Sequence, residues 1–237
     1  MQIIIPMAGD GSRFPKSKYP KSKPLIKIKN KPMIYHSIKS LGLNGKYFFL
    51  IRNNEHADEL VLNLRNIVDE PNIKLTDTLT KGPASSCLLF ENLVDLNDEL
   101  IIANCDQIMW WNPEQFLSSA RNHTLDGLVV TYSSDTEKNS YAKINNKGFI
   151  TEIKEKEVIS NISLNGIHYW KKAKYFFESA SEMIKNKDTA PNGEYYVGPS
   201  YNYLISEGLR IGIHHIPNCQ HHPVGVPEDL DNYLKLI

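Results

Sequence analysis

Short apolar runs rich in β-branched and aromatic residues alternate along this chain with segments whose apolar residues recur at helical spacing. "QIIIP" (residues 2–6), "KYFFLIR" (46–52), "NIKLT" (72–76), "ELIIANCD" (99–106) and "GLVVTYS" (127–133) read as strands. They are short and end in turn residues or charge, as buried strands do. Between them, "PMIYHSIKSLGL", "EHADELVLNLRNIV", "PASSCLLFENL" and "NPEQFLSSARN" carry apolar residues three and four apart and read as helices, the first with Pro32 suited to an opening turn. Strand–helix alternation of this kind predicts a mostly parallel sheet with helices on both faces.

The pattern changes at Tyr141. "YAKINNKGFITEIKE" predicts a hairpin turning at Asn145, Asn146 and Gly148. A strand "NGIHYW", helices "KYFFESASEMIKN" and "YVGPSYNYLISEG", a strand "LRIGIHHI" and a final helix "PEDLDNYLKLI" follow. No linker, repeat or low-complexity tract separates the two parts. The expectation is one domain over residues 1–237, with a nucleotide-binding half (about 1–135) and an acceptor-binding half (about 136–237).

Charge removes several classes of partner. Lys+Arg and Asp+Glu each number 27, so no global field draws the chain to nucleic acid or to a membrane surface. The three cysteines, Cys87, Cys105 and Cys219, are far apart and lack CxxC spacing, which argues against a disulfide framework or zinc ribbon and fits a reducing cytosol. No run approaches the ~18 apolar residues of a membrane span, and the opening residues lack a signal-peptide pattern. A cytoplasmic protein is expected.

Against this neutral background, residues 3–26, "IIIPMAGDGSRFPKSKYPKSKPLI", hold four lysines, one arginine and two glycines in a single loop. In open α/β sheets ligands bind beyond the carboxyl ends of the strands, where such a first loop lies. Gly9 and Gly11 allow backbone N–H groups to approach an anion closely. A P-loop requires G-x-x-x-x-G-K-[ST], which is absent. A dinucleotide fingerprint requires a third glycine where Phe14 stands, although Arg52 could suit an NADP 2′-phosphate.

"GDGSRF" followed by "SKPLI" instead resembles the signature of the sugar-phosphate nucleotidyltransferases, a strand, then G-x-G-[ST]-R-[LF] and K-P-[LM]. The resemblance extends over essentially the whole chain. "TKGPASSCL" resembles the family's segment that meets the nucleobase, with Pro83 where Thr is common. "IIANCDQ" resembles the strand end whose aspartate binds magnesium, and "EIKEKEV" the Glu-Lys element that holds the acceptor phosphate. "SLNGIHYW" and "NGEYYVGPSYNYL" resemble the acceptor segments, and "VGVPEDLDNYL" the closing element. The pattern is similar to a small branch from bacterial capsule-type pathways that includes CTP:phosphoglutamine cytidylyltransferases.

The resemblance implies a Rossmann-like α/β fold of nucleotidyltransferase type and transfer of an NMP, from CTP by preference, to a phosphorylated acceptor such as phosphoglutamine or a sugar phosphate. Nucleotide contacts fall on Met7, Ala8, Gly9, Gly11, Ser12, Arg13, Lys23, Gly82, Ser85 and Asn104, with Arg13 and Lys23 catalytic. Acceptor contacts fall on Lys156, Asn165, Gly166 and Glu194, and Mg²⁺ on Asp106. A homodimer is the expected assembly. One departure stands out: many members carry a second metal-binding aspartate where this chain has Pro223. A non-catalytic sensor of nucleotides or sugar nucleotides on the same fold is therefore the rival reading.

A phosphate monoester is mostly dianionic at neutral pH, with a second pKa of about 6, so the implied reaction needs no general base. It needs charge neutralisation and alignment. His214, His215, His221 and His222 crowd one stretch, but adjacent strand residues face opposite ways and no zinc spacing accompanies them. His221 or His222 remains a candidate cleft contact. Trp110 and Trp111 are expected to pack, one at most of Tyr195 and Tyr196 to face the site, and Asp229 and Asp231 to lie on a solvated helix end.

Overall fold

The computed structural model describes residues 1–237. Its first half alternates as the apolar pattern requires: β1 (Gln2–Met7), a minor hairpin of β2 (Lys27–Ile28) and β3 (Lys31–Pro32), α1 (Met33–Leu41), β4 (Lys46–Arg52), α2 (Ala57–Ile67), β5 (Asn72–Thr76), α3 (Pro83–Leu88) and β6 (Leu100–Ala103). Then come β7 (Gln107–Met109), α4 (Pro113–Ala120), β8 (Gly127–Ser133), the hairpin β9 (Ser140–Ile144) and β10 (Ile150–Glu155), and the long β11 (Ile162–Trp170). The chain closes with α5 (Ala173–Lys185), α6 (Tyr201–Ser206), β12 (Ile211–His215), β13 (His221–Pro223) and α7 (Pro227–Leu236). The expected helix at "PASSCLLFENL" is short, ending at Leu88 and passing into turns.

The sheet runs parallel in the order β5-β4-β1-β6, and β11 then pairs antiparallel with β6. β8 joins the far side of β11, with β12 parallel to β8, and β9–β10 attach at the other end of β11. The chain leaves β1 toward β4 and β5, then returns across β1 to β6. That reversal opens a crevice above the carboxyl ends of β1 and β6.

Strand alternation divides the core into two layers. Ile3, Ile5 and Met7 of β1, with Tyr47, Phe49 and Ile51 of β4, pack under α1, α2 and α4. Ile4, Phe48 and Leu50 face the opposite layer, closed by α3, α5 and α6. Trp170, stacked on Tyr201 with ring centroids 4.6 Å apart, anchors that second layer beneath the later half of the chain. A third, smaller cluster ties the opening loop down: Phe14 packs with Ile28, Met33, Val224, Leu230 and Tyr233. The lysine-rich loop is thus pinned to α1 and α7.

Candidate active site

The opening loop leaves β1 at Met7 and re-enters regular structure in a 3-10 turn at Lys23–Leu25, whose second residue is Pro24. Phe14 donates its amide to the Gly11 carbonyl, 2.9 Å, and is itself buried. Loop geometry therefore rests on an aromatic anchor, while Ser12 and Arg13 stay exposed above the crevice.

Opposite the loop, the chain between β6 and β7 carries Asn104, Cys105 and Asp106. The Ser37 hydroxyl on α1 donates to the Cys105 carbonyl, 2.8 Å, and the Val224 amide to the Asp106 carbonyl, 2.9 Å. β7 and β13 form a two-stranded ribbon in which Pro223 faces Gln107. Gly225 follows that ribbon. A Cβ there would fall 2.6 Å from Asp106 Oδ2, so a side chain at 225 would push the carboxylate off its position.

Lys23 Nζ donates to Asp106 Oδ2 at 2.7 Å. Burial works to raise the Asp106 pKa, but the Lys23 ammonium, with help from Arg13, holds it below the usual carboxylate range. Burial likewise works against the Lys23 charge, and the Asp106 carboxylate outweighs it and raises the Lys23 pKa. Both groups stay charged at neutral pH. Burial pushes the neighbouring Cys105 thiol up to about 11, which leaves it a filler and not a nucleophile.

These groups line one cleft of about 1240 Å³. Met7, Ala8, Gly9, Gly11, Ser12, Arg13, Lys23, Gly82, Asn104 and Asp106 all border it, as do Lys156, Asn165, Gly166 and Glu194. Ser85 does not: the turn of α3 carries its hydroxyl back toward the Lys81 carbonyl, and Ser86 faces the cleft, hydrogen-bonded to the Thr80 hydroxyl at 2.6 Å. Asn165 is nearly buried, its Oδ1 accepting from the Ile167 amide and its Nδ2 directed at Met109 Sδ.

At the far end Lys156 Nζ donates to the Tyr196 hydroxyl, 2.9 Å, which donates to Glu194 Oε2, 2.7 Å. Asn192 bonds the same carboxylate at 2.7 Å. Tyr195 instead turns inward and is buried, so only one of the pair faces the cleft. Glu155, with the Ser140 hydroxyl donating to it, is also buried at the cleft wall. Burial pushes its carboxyl up to about 7, against the Ser140 hydrogen bond and Lys156.

A carboxyl that holds its proton more tightly folded than unfolded contributes stability below its ordinary value of 4.5, and that contribution is lost as pH rises to about 7. The Glu155 contribution to wild-type stability, read by thermal unfolding, should therefore decline across this window by up to about 3 kcal/mol. Glu155→Gln should flatten that decline, and an identical pH profile in the two proteins would refute the assignment.

Several cleft residues had little local signal. Asp229, expected on a solvated helix end, lines the cleft from the first turn of α7, and burial together with Glu228 and Asp106 raises its pKa despite Lys138 and Arg13. His221 shares a face of β13 with Pro223 and borders the cleft, its ring 4.5 Å from that of Tyr132. His222 turns the other way, onto Trp110 and Tyr233. His168 closes the floor, kept neutral by burial and with its Nδ1 lacking a partner. Alternation along β13 was the one signal that could have separated His221 from His222.

A glycine-bearing loop, paired cation and carboxylate, and an exposed arginine stand above the switch point of an α/β sheet, where ligands of such folds bind. Residues 2–198 match the nucleotidyl transferase family, and the chain belongs to it. A mannose-1-phosphate guanyltransferase of Emericella nidulans is 26% identical over 151 residues, covering 62% of this chain and 41% of that protein. The chain thus spans less than half the length of that curated relative. A nucleoside-diphosphate-sugar pyrophosphorylase from Vibrio cholerae has the same fold, with a TM-score of 0.85 at 24% identity, covering 98% of this chain and 99% of its own. The inositol-1-phosphate CTP transferase from T. maritima superposes with a TM-score of 0.77 at 16% identity, covering 99% and 94%. No helix is long and apolar enough to cross a membrane.

Proposed function

We propose that this chain transfers a nucleoside monophosphate from an NTP to a phosphorylated small molecule and releases pyrophosphate. The observation that carries the reading is the Lys23–Asp106 pair at 2.7 Å, beside exposed Arg13, at the mouth of a cleft whose other end presents Lys156. The acceptor phosphate oxygen attacks the α-phosphorus. The bond to the bridging oxygen breaks, and pyrophosphate leaves with its electron pair. Arg13 holds the departing β- and γ-phosphates, Lys23 the α-phosphate, and Lys156 the incoming acceptor phosphate.

Mg²⁺ fits this donor set. Asp106 offers one carboxylate to the cleft and no group of three ligands gathers anywhere in the molecule, which matches an ion that takes one or two carboxylates and completes its shell with phosphate and water. Bound there, it supplies neutralisation of phosphate charge. The buried Cys105, and His168 and His221 kept neutral by burial, offer no rival acid–base set, consistent with an acceptor already ionised at neutral pH.

Within this class CTP is the preferred donor and phosphoglutamine or a sugar phosphate the preferred acceptor, for capsule or surface polysaccharide synthesis in the cytoplasm. The T. maritima protein supports a cytidylyl donor on this fold and the E. nidulans protein a sugar-phosphate acceptor. One observation favours the non-catalytic sensor: Pro223 occupies the ribbon position opposite Gln107 and brings no carboxylate to Asp106. Pyrophosphate release decides the matter, with Mg²⁺ and with five nucleotides (CTP, UTP, dTTP, GTP, ATP) crossed against phosphoglutamine, phosphocholine and sugar phosphates. Release with one pair, abolished in Asp106→Ala, supports transfer. Nucleotide binding without release from any pair supports the sensor.

A further inference from the structure

β1 has two neighbours, and the cleft occupies only the side toward β6. On the side toward β4 the same opening loop covers a second hollow of about 300 Å³. Gly9, Asp10, Gly11 and Lys23 belong to both walls. The floor of the second hollow is the end of β4, where Arg52 emerges beyond the carboxyl end of the strand.

Arg52 Nη1 is buried and has no hydrogen-bond partner, and neither has the Ser22 hydroxyl on the covering loop. Both residues line this hollow, together with exposed Lys16. A buried unpaired donor is costly, more so on a charged group. Three acids share the rim: Asp77 accepts from Asn53 Nδ2 at 2.7 Å, Asp10 accepts from the Ser12 amide at 3.0 Å and also feels the Arg52 charge, and Glu55 lies 3.6 Å from His56 Nδ1, while Arg52 Nη1 is left without a hydrogen bond. Lys21 is paired with Glu59. What remains without a hydrogen-bond partner is the buried Arg52 Nη1, the Ser22 hydroxyl and the Lys16 ammonium, around a hollow large enough to admit a phosphate.

We propose that this hollow is a second anion site, binding a phosphate group through Arg52, Ser22 and Lys16 on the β4 side of the opening loop. Guanidinium matches two phosphate oxygens at once, and an oxygen reaching under the loop pairs the orphaned donors. The phosphate has two chemical sources: a free ion, or the terminal phosphate of a nucleotide whose tail passes over Gly9 and Gly11. The loop is the common wall, so occupancy on one side bears on its position on the other.

The test is calorimetric titration of inorganic phosphate into the full chain, with no turnover required, so its outcome is separate from that of the transfer assay. Wild type should bind phosphate, and Arg13→Gln and Asp106→Asn should leave one site intact. Arg52→Gln should weaken that site at least about tenfold. Lys16→Ala, at an exposed loop position, should weaken it several-fold. A non-hydrolysable triphosphate added to the phosphate-saturated protein identifies the source: joint binding means a free ion, and displacement that Arg52→Gln abolishes means the nucleotide's own terminal phosphate. The proposal is overturned if millimolar phosphate does not bind the Arg13→Gln protein, or if binding to that protein survives the addition of both Arg52→Gln and Lys16→Ala.

Discussion

Lys23→Ala is expected to lose roughly 10²–10³ in kcat, the range for removal of one preorganised donor aimed at developing charge. Nucleotide affinity should fall far less, because Arg13 and the loop amides remain. The ammonium is already in place in the free protein, held at 2.7 Å by Asp106 on a 3-10 turn that Pro24 stiffens. In the proposed transfer it therefore needs little reorganisation to meet the α-phosphate. A purely structural role makes a different prediction. If Lys23 served only as counter-ion to Asp106, the loss in Lys23→Ala would appear in stability and nucleotide affinity, and adding Asp106→Asn would recover the stability. In the transfer reading kcat falls far more than nucleotide affinity. Near-normal kcat in Lys23→Ala would remove the residue from the chemistry.

Gly82→Ala should be strongly destabilising. Gly82 has φ +105°, and a Cβ there would lie 2.6 Å from the carbonyl oxygen and 2.7 Å from the amide nitrogen of Tyr195. Neither strand of chain can retreat. The Tyr195 amide donates to the Lys81 carbonyl at 2.8 Å and the Ala84 amide to the Tyr195 carbonyl at 3.0 Å, so the clash falls between two hydrogen bonds. Backbone strain alone costs about 1–3 kcal/mol, and the contact brings the expected loss to about 3 kcal/mol or more. Gly193→Ala is the control: its φ is also positive, +79°, but no atom lies within 4 Å of the added Cβ. Urea denaturation should show a drop in midpoint at unchanged m-value, much larger for Gly82. Equal losses in the two would mean that dihedral strain, and not the Tyr195 contact, governs the position.

Gly82 also marks where local reading ends. "TKGPASSCL" places a glycine and a helix start in the first half of the chain, yet what makes the glycine necessary is Tyr195, in the second half. Ser85 and Ser86 are equivalent by composition and adjacent in sequence. Only the rotation of α3 against the cleft directs Ser86 inward. Asp229 reads as a surface residue of an amphipathic helix until the packing of Leu230 and Tyr233 against Phe14 turns its first turn toward Asp106.

The sequence by itself determined what short-range periodicity encodes: five strands of the first half, their helices, the hairpin at Asn145 and the opening loop with its glycines, Arg13 and Lys23. Such features need only neighbours within a few residues, because side-chain period and turn chemistry act locally. Tertiary structure alone decided the rest. It joined residues 107–109 to residues 221–223 in a ribbon, set Lys23 on Asp106, linked Lys156 to Glu194 through Tyr196, and left Arg52 without a partner behind the loop. Each of these requires distant segments to meet, which no local propensity specifies. They meet where two differently composed layers, buried on opposite faces of one sheet, leave the strand ends open.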